Sequence, residues 1–201
     1  MILPSSFYTR PDVVAISRDL LGKVLVTEID GVRSSGIIVE AEAYAGSEDR
    51  ACHAFGAKRT KRIAPLYEAG GLAYVYLIYG IYHLFNIVTN VADEPYAILV
   101  RAIEPLEGIE TMLARRKMEK LSQKLTAGPG VMSQALGITT KMTGLPLTGA
   151  TIWLEEGAKL ISEKNIVAST RVGVAYAEAD ALLPYRFSIK DNPWVSKAKG
   201  L

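Results

Sequence analysis

The sequence predicts a mixed α/β (α+β) chain whose strands pair mostly antiparallel. Strand-like segments follow one another across short turns, and helical segments do not alternate regularly with them, which argues against a parallel βαβ sheet. At 201 residues and 49% hydrophobic composition, the chain suits one domain over residues 1–201. It can bury a substantial core but has no length for a second full-sized domain.

Each element has its own signal. Pro11 and Asp12, then Val13, Ile16, Leu20 and Leu21 at helical spacing, then Gly22, mark the start, apolar stripe and stop of a helix. KVLVTEID and VRSSGIIVEAEAY read as two strands around Gly31, the second ending in alternating side chains that put Glu42 and Tyr44 on one face. AGSEDRACHAFGAKRTKRIAP is polar, basic and without period, a long loop that carries His53. LAYVYLIYGIYHLFNIVT is rich in aromatic and β-branched residues, with Gly80 bending or interrupting the strand. After the turn at DEP come a strand, YAILVRAIEP, and a helix, EGIETMLARRK; AGPGVMSQALG reads as a glycine-rich turn feeding a short helix. ATIWLEE, IVASTRVGV and YRFSIK supply short strands in the last third.

Composition narrows the function. The first residues, MILPSSFYTRPDVV, lack the basic, apolar and small-residue succession of a signal peptide, and no apolar run approaches the roughly 18 residues of a spanning helix. An intracellular protein is expected, nucleoid-associated in the bacterial cytoplasm or in the nucleus of a eukaryote, with no membrane partner. The lack of a long basic N-terminal extension points to a bacterial source. Cys52 is the single cysteine, so no internal disulfide forms, and with only His53 and His83 beside it a zinc cage is not expected. The formal charge of +2 announces no nucleic-acid partner by itself. Lys58, Arg59, Lys61 and Arg62 form one local basic run, and Arg115, Arg116 and Lys117 read as a helix C-terminus favoured by its dipole. There is no Walker, dinucleotide-binding or zinc-deaminase signature, and no cofactor is implied.

Six of the ten tyrosines lie between Tyr44 and Tyr82, with Tyr74, Tyr76, Tyr79 and Tyr82 inside nine residues. Amphipathic rings in a sheet core account for any one of them. A stacking slot for a nucleobase accounts for the cluster equally well, and periodicity does not separate the two.

Six segments decide it: IVEAEAYAGSEDRACH (38–53), GLAYVYLIYGIYHLFNI (71–87), LVRAIEPLEGIETM (99–112), AGPGVMSQALGI (127–138), RVGV (171–174) and NPWVS (192–196). In order and spacing the chain resembles the alkyladenine (3-methyladenine, methylpurine) DNA glycosylases. The resemblance implies a curved, mostly antiparallel sheet flanked by helices, similar to the C-terminal domain of methionyl-tRNA formyltransferase. It also implies a monofunctional enzyme of base excision repair, working on double-stranded DNA with damaged purines, without cofactor or metal, as a monomer with no obligate protein partner. Glu42 matches the general base, with Arg101 and the Val172 carbonyl positioning the attacking water. Tyr44, His53 and Tyr76 match the residues around the flipped base, and Asn86 the one that crowds the amino group of guanine. Tyr79, assisted by Ile81, matches the wedge into the duplex. Thr60, Arg62, Gly128 and Gly130 match contacts to the DNA backbone, the glycines through main-chain N–H groups. Two departures, Ile63 where asparagine is common and Val131 where lysine is common, bear on DNA affinity. Substrates implied are 3-methyladenine, 7-methylguanine, hypoxanthine and ethenoadenine. The alternative from another class is a non-catalytic nucleic-acid-binding module of the same fold, from which Glu42 and Arg101 beside the aromatic set distinguish an enzyme. GPGV also resembles a helix-hairpin-helix hairpin and GIY half of a nuclease signature, but neither has its second half in this sequence.

Overall fold

A computed structural model describes residues 1–157 and 160–201. A short helix, α1 (Ser5–Tyr8), precedes α2 (Val13–Asp19). The Asp12 side chain accepts from the Ala15 N–H at 2.9 Å and caps α2. Val13, Ile16, Leu20 and Leu21 are buried as their spacing requires.

Strands β1 (Val24–Ile29) and β2 (Val32–Tyr44) form a hairpin whose turn, Asp30 and Gly31, has φ of 54° and 74°. Both turn residues are left-handed, as the twist of a two-residue hairpin demands. The aromatic segment is two strands, not one bent strand: β3 (Ala73–Ile78) and β4 (Tyr82–Thr89), reversed at Tyr79 and Gly80 with φ of 53° and 72°. Then come β5 (Tyr96–Glu107), α3 (Ile109–Arg116), α4 (Pro129–Leu136), β6 (Ile152–Glu155), β7 (Ile166–Ser169) and β8 (Arg186–Ile189). The sheet is antiparallel and curled, in the order β3-β4-β5-β2-β1-β6, with β8 joining the far half of β2 and β7 joining β8.

Two expectations change in detail. The strand expected over IVASTRVGV ends at Ser169 because Arg171 turns out of the ladder to an ion pair with Asp49. The basic loop is less irregular than its composition suggests. It contains 3-10 turns at Gly46–Glu48, Phe55–Ala57 and Lys61–Tyr67 over a small core of Ala54, Ile63, Leu66 and Tyr67 against Tyr74, Val88 and Ala97. Ile63 is a buried member of that core, which explains an apolar residue there.

Residues alternate between the two faces of the sheet. Ala41, Ala43, Val75, Phe85, Ile87, Ile98 and Val100 belong to the main apolar core, which includes Met112 of α3 and Met132 and Leu136 of α4. Their neighbours in sequence, Glu42, Tyr44, Tyr74, Tyr76, Asn86, Leu99 and Arg101, face the other way, beneath the 45–68 loop and the 171–176 turn.

Candidate active site

Register builds the second face. Tyr74 lies opposite Asn86, Asn86 opposite Leu99, and Leu99 opposite Glu42, so one row crosses four strands. Side chains directly opposite in an antiparallel pair share a face. Between β2 and β5 the register shifts on either side of Glu40, so Val39 and Arg101 each lack an opposite residue. Such bulges re-aim side chains next to active sites, and here Arg101 turns between Glu40 and Glu42.

Above the row lies a cavity of about 450 Å³, lined among others by Tyr44, His53, Tyr74, Tyr76, Asn86 and Arg101, a size that suits a small planar ligand. Glu42 is fully buried and is not itself a wall; Tyr44, Arg101 and Val172, which hold it, are. Its Oε1 accepts the Val172 N–H at 2.8 Å and lies 3.2 Å from Arg101 Nη1, and its Oε2 accepts the Tyr44 hydroxyl at 2.9 Å. Val172 thus meets the carboxylate through its N–H. Burial, and next the Glu42 charge, push the Tyr44 phenol well up, so it stays a donor. Burial alone would lower the Arg101 guanidinium; the Glu42 and Glu40 carboxylates reverse this and hold it charged.

His53 Nδ1 is 2.9 Å from the Tyr74 hydroxyl, and its ring meets Tyr76 edge-on at 4.6 Å. Burial, then the charges of Arg62 and Lys58, lower the His53 pKa, so the imidazole is neutral near pH 7. Burial pushes the Tyr74 phenol up to about 12. The Asn86 amide donates to the carbonyls of Tyr74 and Leu84 at 3.1 and 3.2 Å, which fixes the carboxamide on the cavity floor.

The hairpin tip stands outside this buried set. Tyr79 is 84% exposed and Ile81 67%, at the end of β3 and the start of β4. A tyrosine with φ of 53° is an uncommon conformation, and it presents the ring at the cavity mouth. Arg62 also lines the cavity, its guanidinium 5.6 Å from the Tyr76 ring centre, while Thr60 is an exposed residue preceding the Lys61–Tyr67 turn. Gly128 donates its N–H to the Thr126 carbonyl at 3.0 Å, so it is Gly130, in the first turn of α4, whose N–H has no acceptor within the helix. A side chain at Gly130 would meet the Tyr82 ring at 2.7 Å, which ties α4 to the base of the hairpin. Val131 is half-buried behind it.

Four partners lie within the segments that carry the resemblance but receive no role from it. Arg171, fully buried, pairs with both oxygens of Asp49 at 2.5 and 2.9 Å, donates to the Ala43 and Asp180 carbonyls at 2.9 and 3.0 Å, and lies 4.9 Å from the Tyr44 ring centre. Asp49 in turn accepts the Ala45 and Ala51 N–H groups. This ion pair joins the loop that bears His53 to the turn that bears Val172. Glu40 accepts from Arg101 Nε at 2.8 Å and from Ser196. The signal for Glu40 was present in V-E-A-E-A, two carboxylates inside an apolar strand that have to find cations; nothing local announces Arg171, Asp49 or Ser196.

The methylpurine-DNA glycosylase family model matches residues 6–193. The chain belongs to this family. It is 44% identical over 205 residues to a Clostridium tetani protein and 43% to one from Bacillus cereus, with 98% of this chain and all of each relative covered. A Chlamydia abortus protein is 43% identical over 187 residues, 92% of this chain and 97% of its own. All three bear the name "Putative 3-methyladenine DNA glycosylase". Membership makes the chain a DNA glycosylase, a hydrolase of N-glycosidic bonds whose substrate is damaged DNA, and sets aside the non-catalytic reading. Among the described residues, no helix is long and apolar enough to cross a membrane.

Proposed function

We propose that the chain, as one domain over residues 1–201, excises 3-methyladenine and 7-methylguanine, and also hypoxanthine and ethenoadenine, from duplex DNA. The observation that carries this reading is the Glu42 carboxylate, held by Val172, Arg101 and Tyr44 at the edge of an aromatic cavity. Tyr79, with Ile81, fills the space in the duplex left by the everted nucleotide. The base enters between Tyr44 on one side and Tyr76 with His53 on the other, and Asn86 crowds the amino group of guanine. Thr60, Arg62 and the Gly130 N–H, presented by the turn at Gly128, meet the DNA backbone.

As the bond to the base breaks and its electron pair leaves with the purine, the Glu42 carboxylate stabilises the oxocarbenium-like sugar, and it takes the proton of the water as that water bonds to the anomeric carbon. Arg101 and Val172 hold the carboxylate in place. Water is the nucleophile and the product is an abasic site; among the described residues no lysine lines the cavity to form a Schiff base. The enzyme acts as a monomer in the bacterial cytoplasm.

The test is a duplex carrying one hypoxanthine or ethenoadenine, incubated under single-turnover conditions and then treated with alkali, with methylated DNA in parallel. Wild type is expected to give strand scission only after alkali. Glu42→Gln should lower the rate by about 10²- to 10⁴-fold while duplex binding persists. Wild type that binds these duplexes yet leaves no abasic sites refutes the proposal.

A further inference from the structure

A carboxylate has about four acceptor positions. On Glu42 one is met at Oε1 by the Val172 N–H, with the Arg101 Nη1 charge 3.2 Å from the same oxygen, and one at Oε2 by Tyr44. One position on Oε2 remains for the water that the proposed function requires. A guanidinium pairs with a carboxylate most readily through two parallel N–H bonds, and if Arg101 did so it would cover that position. Its single contact with Glu42 therefore needs a cause.

We propose that Glu40, fixed by Ser196, is a positioning residue that turns the Arg101 guanidinium sideways and keeps the Glu42 carboxylate open to water. Glu40 is fully buried and takes Arg101 Nε at 2.8 Å, while Arg101 Nη2 is directed to Ser196 Oγ at 3.5 Å. With Nε and Nη2 engaged, only Nη1 points at Glu42. Ser196 in turn donates to Glu40 through its main-chain N–H at 2.8 Å and its hydroxyl at 3.0 Å, and Arg186 Nη1 approaches the same carboxylate at 3.5 Å. The two register shifts that flank Glu40, among the three between β2 and β5, set this arrangement in the backbone. Two buried carboxylates around one guanidinium are a costly way to fill a sheet face; apolar side chains would do it more cheaply. This inference rests on Glu42 being the base.

The experiment measures single-turnover excision of hypoxanthine from a duplex for wild type, Glu40→Gln, Ser196→Ala, Arg101→Gln and the double variants with Arg101→Gln, with the melting temperature of each. Glu40→Gln should lower the rate at saturating enzyme about 10- to 100-fold, the scale on which a partner that orients a reacting group is felt. The enzyme concentration for half-saturation should not change. Ser196→Ala keeps the main-chain N–H and should lose about 2- to 10-fold, the scale of one hydrogen bond; it carries the test if Glu40→Gln does not fold. In the Arg101→Gln background both effects should vanish, because these residues act through Arg101. Undiminished effects in that background, or a rate loss that merely follows weaker DNA binding, overturn the proposal. A wild-type chain that makes no abasic sites fails earlier, on the reading of Glu42, and takes this inference with it.

Discussion

The same strands carry opposite chemistry on their two faces. Toward α3 and α4, Val75, Phe85, Ile87, Ile98 and Val100 fill an apolar core. Toward the loops, with equal burial, sit Glu40, Glu42, Asn86 and Arg101. The first face stabilises by removing apolar surface from water. The second takes charges out of water, and each of them survives there only because a partner from a distant part of the chain meets it. The apolar face is what makes the protein fold, and the polar face is what it folds for; they should respond differently to substitution.

The largest effect on stability is expected at the buried ion pair. Arg171→Leu leaves Asp49 uncompensated and should cost about 3–5 kcal/mol, seen in urea unfolding, together with a loss of excision because the Val172 turn is no longer tied down. Phe85→Ala, on the apolar face, should cost a similar 3–5 kcal/mol, yet at a temperature where the variant is folded its single-turnover rate should match wild type. A rate loss there would show that the two faces are coupled. Tyr79→Gly should move the other way: relieving a left-handed tyrosine stabilises by up to about 1 kcal/mol while excision and duplex binding weaken. The smallest effect is in pH. Because the folded protein lowers the His53 pKa, the unfolded chain binds that proton first. Stability is therefore complete above the unfolded value of about 6.5 and declines as the pH falls through the folded one. Melting temperatures between pH 7.5 and 5 should show this slope in wild type and a shallower one in His53→Gln.

The apolar face was almost entirely legible in the sequence, because a period of two or of 3.6 is a local property. Asp12 as a cap, Gly31 in a turn and Val13, Ile16 and Leu20 as a stripe need no knowledge of the rest of the chain. Of the polar face, alternation put Glu42 and Tyr44 on one side of a strand, and the resemblance added Arg101 and Val172 but not Glu40, Ser196, Asp49 and Arg171 behind them. Arg171 reads as one more charge beside Val172, and Ser196 as one more serine after Trp194 and Val195. Their meaning depends on a bulge at Arg101 and on pairs formed across more than a hundred residues, which no window along the chain contains. The 79–81 tip is intermediate: Gly80 announced a bend, but two complete strands on either side of it follow only from the register that brings Ile78 opposite Tyr82.

The separation in sequence between Glu42 and its partners also has a consequence for biosynthesis. The Val172 N–H is 130 residues downstream of Glu42, and the Ser196 donors are 156 residues beyond Glu40. A ribosome delivers the aromatic hairpin and both carboxylates long before it delivers the groups that orient them. On the proposed function, a nascent chain therefore presents Glu42 and the aromatic hairpin before Val172 and Ser196 are there to orient the carboxylates, and excision begins only after both have joined the sheet.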